Sequence, residues 1–323
     1  MLITSILLIV GLIGLVWSAD RFVYGAAALA RNLGLSPLII GLTIVAMGSS
    51  APEMMVAATA AMEGKPDTAI GNAIGSNITN ITLVLGLTAL LKPLIVSSTT
   101  IKRELPLVLI SSAFAVWLLS DLDLTRIEGI VLFAGFLLTI GLLTFLALKR
   151  KYEVGEDALE EDFDEEVPDN VPMNKAIFWL IAGMVLLPLS SSILVDSAVD
   201  IAKYFGLSDL VIGLTIIAIG TSLPELAASM AGVLKGEDDL ALGNIVGSNI
   251  FNALAVLALP GIIAPGMIDA AIMNRDALIM LGVTVVLLMM AIGISKNRSI
   301  NRVEGGLLLA GFIGYQYFLF SQV

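Results

Sequence analysis

The sequence predicts an all-α polytopic membrane protein, with ten transmembrane helices arranged as two inverted-topology five-helix repeats. Three observations predict it. The 323-residue chain is 58% hydrophobic and 14% charged, with a mean hydropathy of +0.98, whereas a soluble domain is about 25% charged. Its apolar residues fall into ten low-charge runs, most of them near the ~20 residues of helix that cross a bilayer. The motifs of the first five runs recur in the second five.

In order, the runs lie at 2–19, 37–62, 68–91, 105–120 and 127–148, then at 176–195, 210–234, 240–264, 277–295 and 303–320. Helices are the open-ended structure that satisfies its own backbone in lipid, so each run is predicted as a helical span. The first run resembles a signal peptide, with Ser18-Ala19 as a cleavage-like pair. No Lys or Arg precedes it, however, and Arg21 follows it, so a retained helix with an outside N-terminus is expected. With that orientation 13 of the 17 basic residues face the cytoplasm, and only Lys65, Arg126, Lys203 and Arg275 stay outside. This is the bias that sets orientation in a plasma (inner) membrane, and it puts both termini outside.

Between the halves the sign of the charge changes. Ten of the 28 acidic residues lie between Glu153 and Asp169, which accounts for most of the net charge of −11. Such a polar, charged stretch reads as a solvated cytoplasmic linker. It lacks the alternating ligands and turn Gly of an EF-hand loop, the pattern a cation sensor would need. The expected division is 1–150, the first repeat; 151–175, the linker; and 176–323, the second repeat.

The repeat itself appears at a shift of 172 residues. GLTIVAMGSSAPE (41–53) matches GLTIIAIGTSLPE (213–225) at 9 of 13 positions, and GNAIGSNITN (71–80) matches GNIVGSNIFN (243–252) at 7 of 10. Arg103-Glu104 falls on Arg275-Asp276 at the same shift. Five spans per half is an odd number, so the second half must enter the membrane upside down. Inverted repeats with interrupted helices characterise secondary transporters, with sites near the midplane.

Composition restricts the chemistry. The chain has no Cys and no His, which removes thiolate chemistry, the commonest general base and the commonest transition-metal ligand. Serine–histidine proteolysis and zinc proteolysis through H-E-x-x-H are excluded. Oxygen ligands remain. Glu53 is the one charged residue in run 37–62, and Glu225 is the one acidic residue in run 210–234. Carboxylates at membrane depth are costly and mark sites. Each closes a G-[ST]-S-x-P-E motif whose proline, Pro52 or Pro224, lacks an N–H and should leave the carbonyl of Gly48 or Gly220 free. Those glycines should also loosen the helix. The expected break would set backbone oxygens, hydroxyls and a carboxylate together, a ligand set for a hard cation. Ser50-x-x-Glu53 and Ser222-x-x-Glu225 also spell capping boxes, which would merely start a half-helix. The two readings are compatible.

In the next run of each half, Asn72, Ser76 and Asn80 share a helical stripe, as do Asn244, Ser248 and Asn252, with Asn77 and Asn249 beside them. Gly71 and Gly75, like Gly243 and Gly247, form G-x-x-x-G pairs that allow close helix approach. Alone, such stripes would serve as interhelical glue. Paired with the Glu-bearing breaks, they are expected to complete the cation site.

The tandem G-[ST]-S-x-P-E and G-N-x-x-G-S-N-x-x-N motifs resemble the two α-repeats of the cation/Ca2+ exchanger superfamily, and most closely its prokaryotic sodium/calcium exchangers. Here the α-repeat motifs are 41–80 and 213–252. The resemblance covers essentially the whole chain and implies ten helices and antiport of Ca2+ against Na+. It implies Ca2+ ligation by Glu53 with Ser49 and by Glu225 with Thr221. It implies sodium sites that include the carbonyls of Ala46 and Ala218 and the hydroxyls of Ser50, Ser222, Ser76 and Ser248. Asn80 and Asn252 occupy the last polar position of each motif. Structurally known relatives carry Asp at the second of these, so Asn252 departs from the pattern, as does Ser49 where Thr is usual.

The transported ions would be Ca2+ and Na+ in a lipid bilayer, with no cofactor, no enzymatic activity, no nucleic acid and no obligate protein partner. The alternative within transport is H+/Ca2+ or other cation/H+ antiport using the two Glu as proton carriers. The alternative outside it is a passive cation channel.

Overall fold

The computed structural model describes residues 2–98, 100–154, 171–206, 218–293 and 299–321. Most of the acidic stretch, the first part of run 210–234, and Lys296 and Arg298 lie outside the described residues. The helices are α1 (Leu2–Leu33), α2 (Pro37–Ser49), α3 (Ala51–Met62), α4 (Pro66–Leu91), α5 (Thr100–Asp121), α6 (Arg126–Val154), α7 (Met173–Tyr204), α8 (Leu223–Leu234), α9 (Asp238–Ile263), α10 (Ile272–Ile292) and α11 (Arg302–Ser321). Among the described residues eight of these are long and apolar enough to span a membrane, and α2 with α3 forms a ninth, bent by 44°.

Local chemistry explains where the helices begin and end. Pro37, Pro52, Pro66 and Pro224 stand in the first turns of their helices, where a missing N–H costs nothing. Helices α3 and α8 stop against Gly64 and Gly236, whose φ values of 73° and 80° suit a residue without Cβ. Thr125 and Glu128 form a true capping box before α6: Thr125 N donates to Glu128 Oε2 at 2.7 Å, and Glu128 N to Thr125 Oγ1 at 3.2 Å. Asn301 and Glu304 repeat it before α11 at 2.8 and 3.1 Å.

The first helix corrects the sequence reading. It runs unbroken through Ser18-Ala19 to Leu33, about 48 Å at 1.5 Å per residue against ~30 Å of hydrocarbon. Arg21, just past the run 2–19, therefore lies inside the helix. Its guanidinium carbon sits 5.1 Å from the centre of the Trp179 ring.

Packing sorts the helices into a centre and a rim. Helices α4 and α9 are the most buried, while α1, α6, α7 and α11 turn most of their apolar surface outward, as lipid-facing helices do. Helices α1 and α7 run antiparallel in close contact: a Cβ on Gly11 would lie 2.8 Å from Leu194 N, and one on Gly25 would lie 2.4 Å from Leu180 N. Helix α9 reaches α2 as closely, since a Cβ on Gly243 would meet Leu38 O at 2.5 Å and one on Gly247 would meet Leu42 O at 2.4 Å. The G-x-x-x-G expectation thus holds in the second half. A Cβ on Gly71 or Gly75 would meet nothing within 4 Å beyond its own helix among the described residues.

Among the described residues four short strands join the halves at the helix ends. β1 (Leu94–Ile95) pairs antiparallel with β4 (Ser299–Ile300), and β2 (Asp123–Leu124) pairs antiparallel with β3 (Gly266–Met267). β1 and β2 bracket α5, and β3 and β4 bracket α10.

Candidate cation site

Both predicted breaks are present. Helix α2 ends at Ser49, Ser50 takes a non-helical φ/ψ of −86°/10°, and α3 starts at Ala51. Ser222 does the same at −90°/5° between the turn Ala218–Thr221 and α8. Each break is followed within one turn by its proline and its glutamate. Helices α2, α4, α5, α9 and α10 also contain wider π-helical turns, and those at Asn80–Val84 and Asn252–Val256 open on the candidate asparagines. Such turns release backbone from the α-helical ladder and recur at functional sites.

Glu53 and Glu225 are fully buried. Among the described residues no Lys or Arg pairs with either, and neither oxygen of Glu53 has a hydrogen-bond partner. Glu225 Oε1 accepts a 2.8 Å hydrogen bond from Ser50 Oγ, across the two halves, and Oε2 has no partner. Ser222 Oγ and Ser248 Oγ are themselves buried without a hydrogen-bond partner among the described residues. A buried charge without a partner costs several kcal/mol or more.

The capping-box reading is corrected here. Neither Ser50 nor Ser222 makes a side-chain cap bond, and Ser50 spends its proton on the opposite carboxylate. Boxes of the same pattern do cap α6 and α11, where water can reach the helix end. At the first break the Ser50 hydroxyl instead meets the buried Glu225 carboxylate, a stronger acceptor when ionised.

The expected roles of the glycines and asparagines also change. Gly220's carbonyl is not free, because Ser191 Oγ on α7 donates to it at 3.0 Å. Gly48 and Gly220 serve close approach: a Cβ would meet Met184 Cε at 3.0 Å and Val195 Cγ2 at 2.4 Å. Asn72 Nδ2 donates to Glu53 O at 3.2 Å, and Asn244 Nδ2 to Glu225 O at 3.4 Å. Each amide holds the backbone of its half's glutamate. Ala46 O accepts from Ser50 N at 3.0 Å, and Ala218 opens the short turn before the second break. Asn80 and Asn252 are buried with both amide atoms unpartnered among the described residues, so they make no bond to either carboxylate. Asn77 Nδ2 meets Met280 Sδ on α10 at 3.3 Å, and Asn249 has no hydrogen-bond partner among the described residues. Sequence reasoning missed Ser191 and also Ser229, which meets Asn244 Nδ2 at 3.1 Å. Ser229 lies four residues after Glu225, on its stripe, but its repeat position is Ala57, so matching the two halves passed over it.

A family model described as sodium/calcium exchanger protein matches residues 3–145 and 175–321. The chain belongs to the sodium/calcium exchanger family. It is accordingly a membrane transporter of the cation/Ca2+ antiporter class. It is 59% identical over 322 residues to the putative antiporter CaxA of Alkalimonas amylolytica, covering 100% of both chains. It is 45% identical to the inner membrane protein YrbG of Escherichia coli (strain K12), covering 97% of this chain and 95% of the relative. The solved structure of the sodium-calcium exchanger NCX_Mj, soaked with zero Na+ and Ca2+, superposes with a TM-score of 0.82 at 31% identity, covering 99% and 100% of the two chains. The resemblance drawn from the paired motifs therefore holds along the whole chain.

Proposed function

We propose that this exchanger is a Na+/Ca2+ antiporter of ten spans in two inverted five-helix repeats, 1–150 and 176–323, joined by the cytoplasmic segment 151–175. The observation that carries the reading is the pair of unpaired, buried carboxylates, Glu53 and Glu225, at matching helix breaks. Ser49, Ser50, Thr221, Ser222, Ser76, Ser248, Asn80, Asn252 and the carbonyls of Ala46 and Ala218 complete the set available to the ions. Inversion is supported by the strand pairs. β1 and β2 flank one span, as β3 and β4 do, and pairing β1 with β4 requires the second span to run opposite to its counterpart. The antiparallel course of α1 and α7, the first helix of each half, supports it independently. An inner-membrane location, with both termini outside, follows from the basic-residue bias.

The mechanism follows from charge. Empty, the site holds two negative charges that cannot cheaply pass through a dry, occluded state. One Ca2+ or at least two Na+ cancels them, so only loaded forms change sides, and exchange results in place of leak. Ca2+ accepts six to eight oxygens at loose geometry while Mg2+ gives up water reluctantly, so direct protein oxygens favour Ca2+. The test is uptake of radiolabelled Ca2+ into proteoliposomes under an imposed Na+ gradient or an imposed pH gradient. Uptake driven by Na+ alone supports the reading, and uptake driven by pH alone replaces it with cation/H+ antiport. Dissipative flux without counterflow would indicate a channel.

A further inference from the structure

The second break carries a hydroxyl that the first lacks. Ser229 on α8 is fully buried, and its counterpart 172 residues earlier is Ala57. Its Oγ accepts a hydrogen bond from Asn244 Nδ2 at 3.1 Å, and Asn244 Oδ1 accepts one from Ser49 Oγ at 2.9 Å. Three buried side chains from α2, α9 and α8 thus form one hydrogen-bonded chain across the two halves, directed from Ser49 through Asn244 to Ser229.

That direction decides what Ser49 offers an ion. A hydroxyl has one proton and two lone pairs. Ala46 O, at a long 3.4 Å, is the other acceptor of Ser49's proton. Given to Asn244 Oδ1, the proton leaves the lone pairs of Ser49 and of the Ala46 carbonyl available to a cation. With the Asn244 amide reversed, its Nδ2 would donate to Ser49, and Ser49's proton would turn onto Ala46 O. Each oxygen would lose a lone pair.

The two ends of an amide are nearly equal in shape, so their partners choose the orientation. Glu225 O, an acceptor only, receives Asn244 Nδ2 at 3.4 Å, near the limit of a useful bond. Ser229 supplies the shorter contact. In the first half Asn72 Nδ2 has Glu53 O at 3.2 Å, and Ala57 provides no second acceptor.

We propose that Ser229 is a positioning residue for Ca2+ binding, holding the Asn244 amide so that the Ser49 hydroxyl turns its oxygen toward the ion. This rests on the reading of Glu53 and Glu225 as the cation site. It adds a role for a serine that lies between the G-T-S-L-P-E and G-N-I-V-G-S-N-I-F-N segments of the second half.

The test is the initial rate of Na+-driven Ca2+ uptake against Ca2+ concentration in proteoliposomes. The variants are Ser229→Ala, Ser229→Thr, Ser49→Ala and the Ser229→Ala/Ser49→Ala double. Losing one orienting hydrogen bond should raise the half-saturating Ca2+ concentration of Ser229→Ala about three- to tenfold. The maximal rate should stay within about twofold of wild type, because the loss falls on binding. Ser229→Thr, which keeps the hydroxyl, should retain wild-type affinity. Ser229→Ala should add nothing on the Ser49→Ala background, the signature of action through Ser49. Should the alanine variant not fold, Ser229→Cys keeps the volume with a weak acceptor and makes the same measurement. Wild-type affinity in Ser229→Ala, or effects that add in the double variant, would overturn the proposal. Glu53→Gln in the same vesicles separates the two levels. Full uptake there overturns the site itself, whereas loss there beside a wild-type-like Ser229→Ala overturns only the positioning role.

Discussion

Replacing Glu53 with Gln removes one charge while keeping the side chain's shape. Both Glu53 oxygens are buried without a hydrogen-bond partner among the described residues, so the substitution breaks no bond of the ion-free protein. Relieving an unpaired buried charge should leave the thermal stability of the ion-free form equal or higher. Transport should respond in the opposite sense. A Ca2+ ion between one carboxylate and one amide leaves the occluded site with a net positive charge. Breaking a buried ionic pairing costs about 3–5 kcal/mol. At 1.36 kcal/mol per tenfold, that is a loss of about 10²–10⁴ in exchange rate. The assay is Na+-driven uptake of radiolabelled Ca2+ in proteoliposomes, alongside a melting curve in ion-free detergent. Uptake above about a tenth of wild type would mean less than ~1.4 kcal/mol is at stake, and Glu53 would not be a Ca2+ ligand. Lost uptake with a collapsed melting temperature would assign the glutamate to the fold instead.

Ser50→Ala removes a bond to a buried carboxylate worth about 1.5–3 kcal/mol and should lower exchange about tenfold or more. Thr125→Ala, a true cap, should cost about 1 kcal/mol of stability and leave ion affinity unchanged. Equal behaviour of the two in melting and flux assays would undo the distinction drawn between cap and ligand. Exchanging residues 153–169 for a neutral linker of equal length should leave flux intact, and a large loss of turnover would reveal a regulatory cation site there. Asn252→Asp adds a third carboxylate, which begins to ionise as pH rises and leaves the Ca2+-loaded site net negative. Its Ca2+ flux should therefore fall toward alkaline pH relative to wild type, and superimposable pH profiles would mean that position 252 does not face the ions.

What was legible in the sequence was what repeats or what is costly. A lone carboxylate in each long apolar run and a proline one residue before it located both breaks, because nothing else explains a charge and a missing N–H at membrane depth. Helix ends were read less well. Leu2–Leu33 exceeds the bilayer, and the charges of Asp20 and Arg21 ended the predicted run although the helix continues through the mostly buried stretch 22–30. A hydroxyl three residues before a glutamate looks the same in sequence whether it caps, as Thr125 does, or does not, as Ser50 does not. What separates Ser50 from Thr125 is the buried carboxylate of Glu225, which approaches only in three dimensions. The turns at Asn80–Val84 and Asn252–Val256 carry no composition signal. Ser229 escaped because its repeat position is Ala57, and Ser191 because it bonds a backbone carbonyl, which no residue pattern marks.

The measurement that tests the central claim most directly is Ca2+ uptake into proteoliposomes driven by an outward Na+ gradient, in wild type and in the Glu53→Gln/Glu225→Gln pair. The account predicts Na+-dependent accumulation by wild type, no accumulation under a pH gradient alone, and none by the double variant under either. Accumulation by the double variant, or by wild type without a Na+ gradient, would contradict it.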